Sequence, residues 1–272
     1  MTSRMFAEVI GDPIDHSLSP LIHGFWLKAL RIDAEYGRRR VGRAEFPAYV
    51  TERRGDPLWR GSNVTMPLKL DAATLADEAT DRAVAAGAAN VLMMREGRLV
   101  AANTDVGAIA MLLSKLHQAK AAMGSVTVLG NGGAARAALV ACRMVGLSSV
   151  RIQARDMSAA TRLAVEFGLD VGPAPFTETI VSDGLINTTP LGMAGNDCLN
   201  CDLSHLPANG WVFDMVTEPS ETPLIAAARN RGLAVCTGLE MLVEQAASSF
   251  HLFFGVDPPR DRDPELWQKL KT

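Results

Sequence analysis

Residues 125–153 carry the pattern that most narrows what this chain can fold into. SVTVL (125–129) is a short β-branched run suited to a buried parallel strand. Gly130-Asn131-Gly132-Gly133-Ala134-Ala135 follows it. ARAALVACRMV then shows helical periodicity and strong helix formers, with Gly146 as a stop. SSVRIQ (148–153) reads as a second strand. Strand, glycine turn, helix and strand within about thirty residues is the size of a βαβ unit. Further strands are expected at GLIN (184–187), VFDM (212–215) and LAVC (233–236), with a helix from Thr222 to Arg231. Together these predict a Rossmann-type, doubly wound α/β domain over 106–237.

The N-terminal third predicts strands at 5–10, 34–41 and near Gly61–Thr65, and a helix at 19–30. GLEMLVEQAASSFHLFFG (238–255) has helical spacing and a wide apolar face. The polar, proline-containing tail after Gly255 reads as linker-like. The fold class is therefore α/β with two domains. A substrate-binding domain over 1–105 is completed by 238–272, and a dinucleotide-binding domain lies between.

Composition excludes several function classes. The chain has 272 residues, 48% of them hydrophobic, and a net charge of −3. That leaves no electrostatic footprint for nucleic acid or an anionic membrane. No targeting segment and no apolar run of about 20 residues appears. A cytoplasmic enzyme with a small-molecule substrate, as monomer or homodimer, is the expectation. Cys142 and Cys236 read as reduced, buried thiols. Cys198 and Cys201 form one C-x-x-C followed by His205, without a fourth ligand at zinc spacing, so no metal is expected.

The glycine turn fits G-x-G-x-x-A at Gly130, Gly132 and Ala135. Gly130 permits the tight turn, Gly132 lets a pyrophosphate approach the backbone, and Ala135 lets the helix pack against the sheet. Gly133 and Ala134 complete the turn as cofactor-binding candidates, and the N–H groups and positive dipole end of the helix that follows face the phosphates. An NAD site usually places Asp or Glu at the end of the second strand, about 20 residues on. Here the strand ends in Gln153-Ala154-Arg155-Asp156. The Arg155 guanidinium suits the 2′-phosphate of NADP. Asp156 beside it either repels that phosphate or holds a 2′-hydroxyl, so NAD stays open.

Four other segments are rich in groups that hold a polyhydroxylated acid. They are GDPIDHSLSPLIH (11–23), GSNVTMPLK (61–69), AGAANV (86–91) and ANTDVG (102–107). Ser19 and Pro20 also suit the N-cap and first position of the following helix. Here the sequence resembles the shikimate dehydrogenase family. The resemblance rests on GDPIDHSLSPLIH, SNVTMPLK, NTDVG, GNGGAARAA, INTTPLGM (186–193) and GLEMLVEQAA (238–247), in family order over essentially the whole chain.

The resemblance implies reversible, NADP-dependent reduction of 3-dehydroshikimate to shikimate, in the synthesis of chorismate and the aromatic amino acids. It implies that Ser17 and Ser19 hold the substrate carboxylate, and that Thr65, Asn90 and Gln245 bond its hydroxyls. Lys69 and Asp105 would flank the reacting C3 oxygen. Met193 and Gly238 would lie near the nicotinamide, and Thr188 would be a further cofactor-binding residue. An adjacent carboxylate keeps a lysine charged, so Lys69 suits a cation that stabilises alkoxide character as well as a proton donor. His16 and His23 are read as structural.

The sequence departs from the family pattern at Gly24 (usually Asn), Val91 (Thr), Thr217 (Tyr) and Glu240 (Gly). Ala154 and Asp156 flank Arg155 where Asn and Thr are typical. The Tyr replaced at Thr217 normally helps hold the carboxylate. Two alternatives follow: a quinate-type paralogue using NAD, and a catalytically decayed dinucleotide-binding regulatory protein.

Overall fold

The structure, a computed structural model, describes residues 4–270. Two compact units emerge: one through Thr104 and again from Val243 on, the other Asp105–Leu242.

The first unit begins with β1 (Met5–Gly11), α1 (Ser19–Leu30), β2 (Ala34–Arg40), α2 (Phe46–Arg54) and β3 (Trp59–Val64). α3 (Lys69–Leu75), β4 (Glu78–Ala79), α4 (Asp81–Ala86), β5 (Val91–Arg95) and β6 (Arg98–Ala102) follow. Its sheet runs β2-β1-β3-β5-β6-β4. β2, β1 and β3 are parallel, β5 is antiparallel to both β3 and β6, and β4 is parallel to β6. So β1, β3 and β6 end, and β5 begins, at the same edge. One face packs on a core that includes Ile10, Phe46, Trp59, Leu68, Leu92 and Leu99.

α5 (Thr104–Gln118) leads into β7 (Ser125–Leu129), α6 (Gly133–Met144), β8 (Ser149–Ala154), α7 (Met157–Phe167) and β9 (Ala174–Pro175). β10 (Gly184–Asn187), β11 (Trp211–Asp214), α8 (Pro223–Asn230) and β12 (Ala234–Thr237) complete the second unit's sheet. The order is β12-β11-β10-β7-β8-β9, with every pairing parallel. Counted from β7 this is the doubly wound order 6-5-4-1-2-3, with its switch point between β7 and β10. The predicted βαβ unit is present, and the predicted strands and the 222–231 helix fall within a residue of their observed bounds.

α9 (Gly238–Phe254) and α10 (Asp263–Leu270) close the chain. The tail read as linker is therefore partly helical. Arg260 holds it, with a bidentate bond to Glu244 at 2.8 Å and a third bond to Asp263 at 2.8 Å. Among the described residues, no helix is long and apolar enough to cross a membrane.

Candidate functional site

The shared edge of the first sheet gathers most of the substrate candidates. The loop after β1 is stitched to the loop after β3, because Thr65 N donates to Ile10 O at 2.9 Å and Asp12 N to Met66 O at 3.0 Å. Lys69, half-buried, opens α3, and its carbonyl accepts from Ala89 N at 2.8 Å. That bond sets Lys69 beside the residue preceding Asn90.

Asn90 is the hub, and it is buried. Its Oδ1 accepts from Thr104 N at 2.7 Å, and its Nδ2 donates to Thr104 Oγ1 at 2.8 Å and to Gln245 Oε1 at 3.3 Å. Asn63 Nδ2 donates to the Asn90 carbonyl at 3.4 Å, and the Tyr36 hydroxyl donates to Asn63 Oδ1 at 2.6 Å. Burial and the nearby Glu8 carboxylate hold the Tyr36 phenol well above its usual range, so Tyr36 is a neutral donor. Three amides and two hydroxyls thus form a fixed array able to meet the hydroxyls of a polyol. Sequence reasoning singles out Asn90 and Gln245 but misses Tyr36, Asn63 and Thr104 as members of the array. Thr104 stands within the NTDVG motif, which was the available signal.

The serines need one correction. Leu18, not Ser19, occupies the N-cap position of α1, and no side chain bonds there. Ser19 is the first helical residue and Pro20 the second. Ser17 does the local capping, its hydroxyl accepting from Ser19 N at 3.3 Å. Asp105, the residue after Thr104, is buried in the first turn of α5.

The second unit presents the glycine turn at its switch point. Gly130 has φ +107°, and a Cβ there would lie 2.6 Å from Thr188 Oγ1, so only glycine fits. Thr188 closes the crevice from β10, bonding Leu129 O through its N–H at 3.0 Å and its hydroxyl at 2.5 Å. Gly132 stands at the N-cap of α6 with no side-chain cap and open space where a Cβ would sit. The first-turn N–H groups of a 12-residue helix thus have no side-chain cap, and the residue before them carries no Cβ to keep a pyrophosphate off the backbone. The residues fit a dinucleotide.

Asp156 proves to be the N-cap of α7, its Oδ1 accepting from Ala159 N at 2.9 Å. The carboxylate is thus engaged in starting a helix, while Arg155 is exposed. Glu240 has a similar explanation. It accepts from Thr237 N at 2.8 Å and from Thr237 Oγ1 at 2.9 Å, and its own N–H donates back to Thr237 Oγ1 at 3.3 Å. This is a capping box opening α9. Gly238 follows Thr237, and a Cβ there would lie 2.3 Å from Val216 O. Thr217 and Met193 are half-exposed in neighbouring loops of the same unit. Cys142 and Cys236 are buried free thiols, each pushed up to about 12 by burial. No cluster of three metal-ligating side chains occurs among the described residues.

A doubly wound sheet with a glycine turn at its switch point, in one chain with a polyol-matched amide array, defines a dinucleotide-dependent oxidoreductase. Residues 9–92 match the model of the shikimate dehydrogenase substrate-binding domain, and residues 238–262 that of the shikimate 5′-dehydrogenase C-terminal domain. The chain belongs to the shikimate dehydrogenase family. It is 43% identical over 263 residues to a shikimate dehydrogenase (NADP(+)) of Sphingopyxis alaskensis, covering 96% of this chain and 95% of that protein. It is 44% identical over 280 residues to the one of Methylobacterium radiotolerans, covering 99% and 96%. Its fold matches shikimate 5-dehydrogenase from Thermus thermophilus, solved in complex with NADP(H) and shikimate. That match has a TM-score of 0.84 and 32% identity, covering 98% of this chain and 99% of that one.

Proposed function

We propose that this chain catalyses the reversible, NADP-dependent reduction of 3-dehydroshikimate to shikimate in the cytoplasm. The observation that carries the reading is the buried Asn90–Thr104–Gln245 array, at the sheet edge from which Lys69 also emerges. The named relatives, both NADP(+) enzymes, support it.

The reduction requires a hydride at the carbonyl carbon and a proton at its oxygen. NADPH, when bound, supplies the hydride. Its pyrophosphate would rest on Gly130, Gly132, Gly133 and Ala134, and its nicotinamide end toward Thr188, Met193 and Gly238. Its 2′-phosphate would pair with Arg155, and the capping role of Asp156 supports NADP over NAD. Ser17 and Ser19 would hold the substrate carboxylate, with Thr217 contributing through its hydroxyl. Thr65, Asn90 and Gln245 would bond the ring hydroxyls. Lys69 and Asp105 form the proposed catalytic pair. The Lys69 ammonium stabilises negative charge developing on the C3 oxygen, and the pair delivers the proton there. The unit through Thr104 and from Val243 on is the proposed substrate domain, and the unit between them the cofactor domain.

The deciding experiment is a cofactor-linked assay with shikimate and quinate, each with NADP(+) and NAD(+). The reading expects shikimate with NADP(+) to have the largest kcat/KM. A larger value for quinate with NAD(+) would overturn it. NADP(+) binding without turnover of either acid would instead identify a regulatory protein.

A further inference from the structure

The second unit buries a carboxylate that has no part in the reaction just described. Asp214 ends β11 and is 1% exposed. The hydrogen-bond donors that converge on it are neutral groups. Oδ1 accepts from Asn187 Nδ2 at 2.9 Å and from Val216 N at 3.2 Å, and Oδ2 accepts from the Thr222 hydroxyl at 2.6 Å. The Thr222 oxygen itself accepts from Ile225 N at 3.2 Å, so its proton points to Asp214. Burial pushes the carboxyl above its usual range, and the same three donors oppose that shift. A neutral carboxyl would leave its own proton facing a donor. The arrangement is built for the ionised form.

Burying a charge among neutral dipoles is expensive. What the charge supplies is strong, oriented hydrogen bonds. These run toward the cofactor-binding loops. Asn187 is completely buried and uses its whole amide. Its Nδ2 donates to Asp214 and to Leu191 O at 3.2 Å, and its Oδ1 accepts from Thr189 N at 3.0 Å and Thr189 Oγ1 at 2.7 Å. Those bonds shape the turn holding Thr188 and Met193. Val216, bonded to the same carboxylate, precedes Thr217, and its carbonyl backs Gly238.

We propose that Asp214 is a positioning residue for the nicotinamide half of the dinucleotide, acting through Asn187 and Val216 to hold the 188–193 turn, Thr217 and Gly238 in one register. The inference rests on the reading that these loops receive the cofactor. Neither Asp214 nor Asn187 touches the reacting atoms in this assignment.

The test compares Asp214→Asn, Thr189→Val and Thr189→Ser with the unmodified chain. NADP(+) affinity is read by calorimetry, kcat and shikimate KM by assay, and folding by melting temperature. Asp214→Asn sets an amide donor against donors, and Thr189→Val removes the hydroxyl at the loop end of the same chain of bonds. Asp214→Asn is expected to weaken NADP(+) binding and lower kcat by roughly tenfold, the scale of one lost charge-assisted hydrogen bond, and Thr189→Val by roughly threefold to tenfold, the scale of a neutral one, with shikimate KM changed less than about twofold in both. Thr189→Ser should restore both to within about twofold of the unmodified chain. Unchanged NADP(+) affinity and kcat in Thr189→Val, or a change confined to melting temperature, overturns the proposal. Thr189→Val decides the matter if Asp214→Asn does not fold. Failure of the unmodified chain to bind NADP(+) overturns the assignment of the loops instead, and this inference with it.

Discussion

Lys69 opens α3 with its carbonyl tied to Ala89, which fixes its backbone next to the Asn90 hub. Its assigned work is at the reacting oxygen, so truncation should spare binding and slow chemistry. Lys69→Ala is expected to cut kcat by roughly 10²–10⁴-fold, as for a positioned acid–base group, with little change in NADP(+) affinity. Steady-state kinetics with calorimetry checks this, and near-normal turnover would remove Lys69 from the mechanism. Arg155 makes a sharper claim because its neighbour Asp156 is spent on a helix. Arg155→Ala should lower the NADP/NAD ratio of kcat/KM by roughly 10–10²-fold, the loss of one charged contact to phosphate. His23 bears on stability. It is completely buried and stacked on Tyr36 at 3.9 Å, and burial lowers its imidazole from 6.5 to about 3. The unfolded chain therefore binds a proton below pH 6.5 that the folded chain refuses down to about 3. That contribution is complete above 6.5 and is lost as pH falls through this window, at up to about 1.4 kcal/mol per pH unit. His23→Phe should flatten the pH dependence of urea midpoints between about pH 6.5 and 5. An unchanged slope would show that other groups set it.

At the scale of elements, capping explains much that looks like departure from the family pattern. Asp156 caps α7, Thr222 caps α8, and Thr237 with Glu240 boxes the start of α9. Glu240→Gly should therefore destabilise the protein by about 1 kcal/mol, the scale of a lost cap, read as a lower chemical-denaturation midpoint. Five of the six strands of the second unit are legible in the sequence because buried parallel strands are short apolar runs bounded by glycine and polar turns; β9, two residues long, carries no such run. β7 and β10 have the bounds their sequence predicts. α7 escapes such a reading, because Asp156 invites the role of cofactor ligand rather than cap. α10 resembles linker, because its one apolar face is brief and Arg260, which pins it, reads as a surface charge. In the site, motifs expose the individual ligands, but the arrays do not show. Tyr36 reaches Asn63 across 27 positions and Asn90 reaches Gln245 across 155, distances over which no local pattern carries a signal. Asp214 is hidden for the same reason: an acidic residue at a strand end reads as solvated until three donors are seen around it.

For the whole molecule, the decisive feature is that the first unit is made from two lengths of chain with the second unit inserted between them. The returning segment supplies core as well as chemistry. Phe250 is completely buried, packed edge-on to Trp26 at 5.5 Å, and Phe253 fills the space beside Gly61. Gln245 completes the Asn90 array. Residues 1–104 alone would expose the seats of both phenylalanines, and emptying a single buried Phe site costs about 3–5 kcal/mol, a large share of a domain's stability. That fragment is expected not to unfold cooperatively. Yet the two lengths meet at the insertion point, where Thr104 Oγ1 lies 3.4 Å from Gln245 Oε1. A flexible Gly/Ser linker of roughly five residues should therefore span Thr104 to Val243. Replacing 105–242 by such a linker is expected to give a unit with a single cooperative denaturation transition, while 105–242 expressed separately retains NADP(+) binding. The linked unit and residues 1–104 should thus differ in far-UV circular dichroism during urea titration, the first sigmoidal and the second featureless. Equal, cooperative curves would mean that the first unit's core is complete without α9, and that Phe250 and Phe253 are dispensable to it.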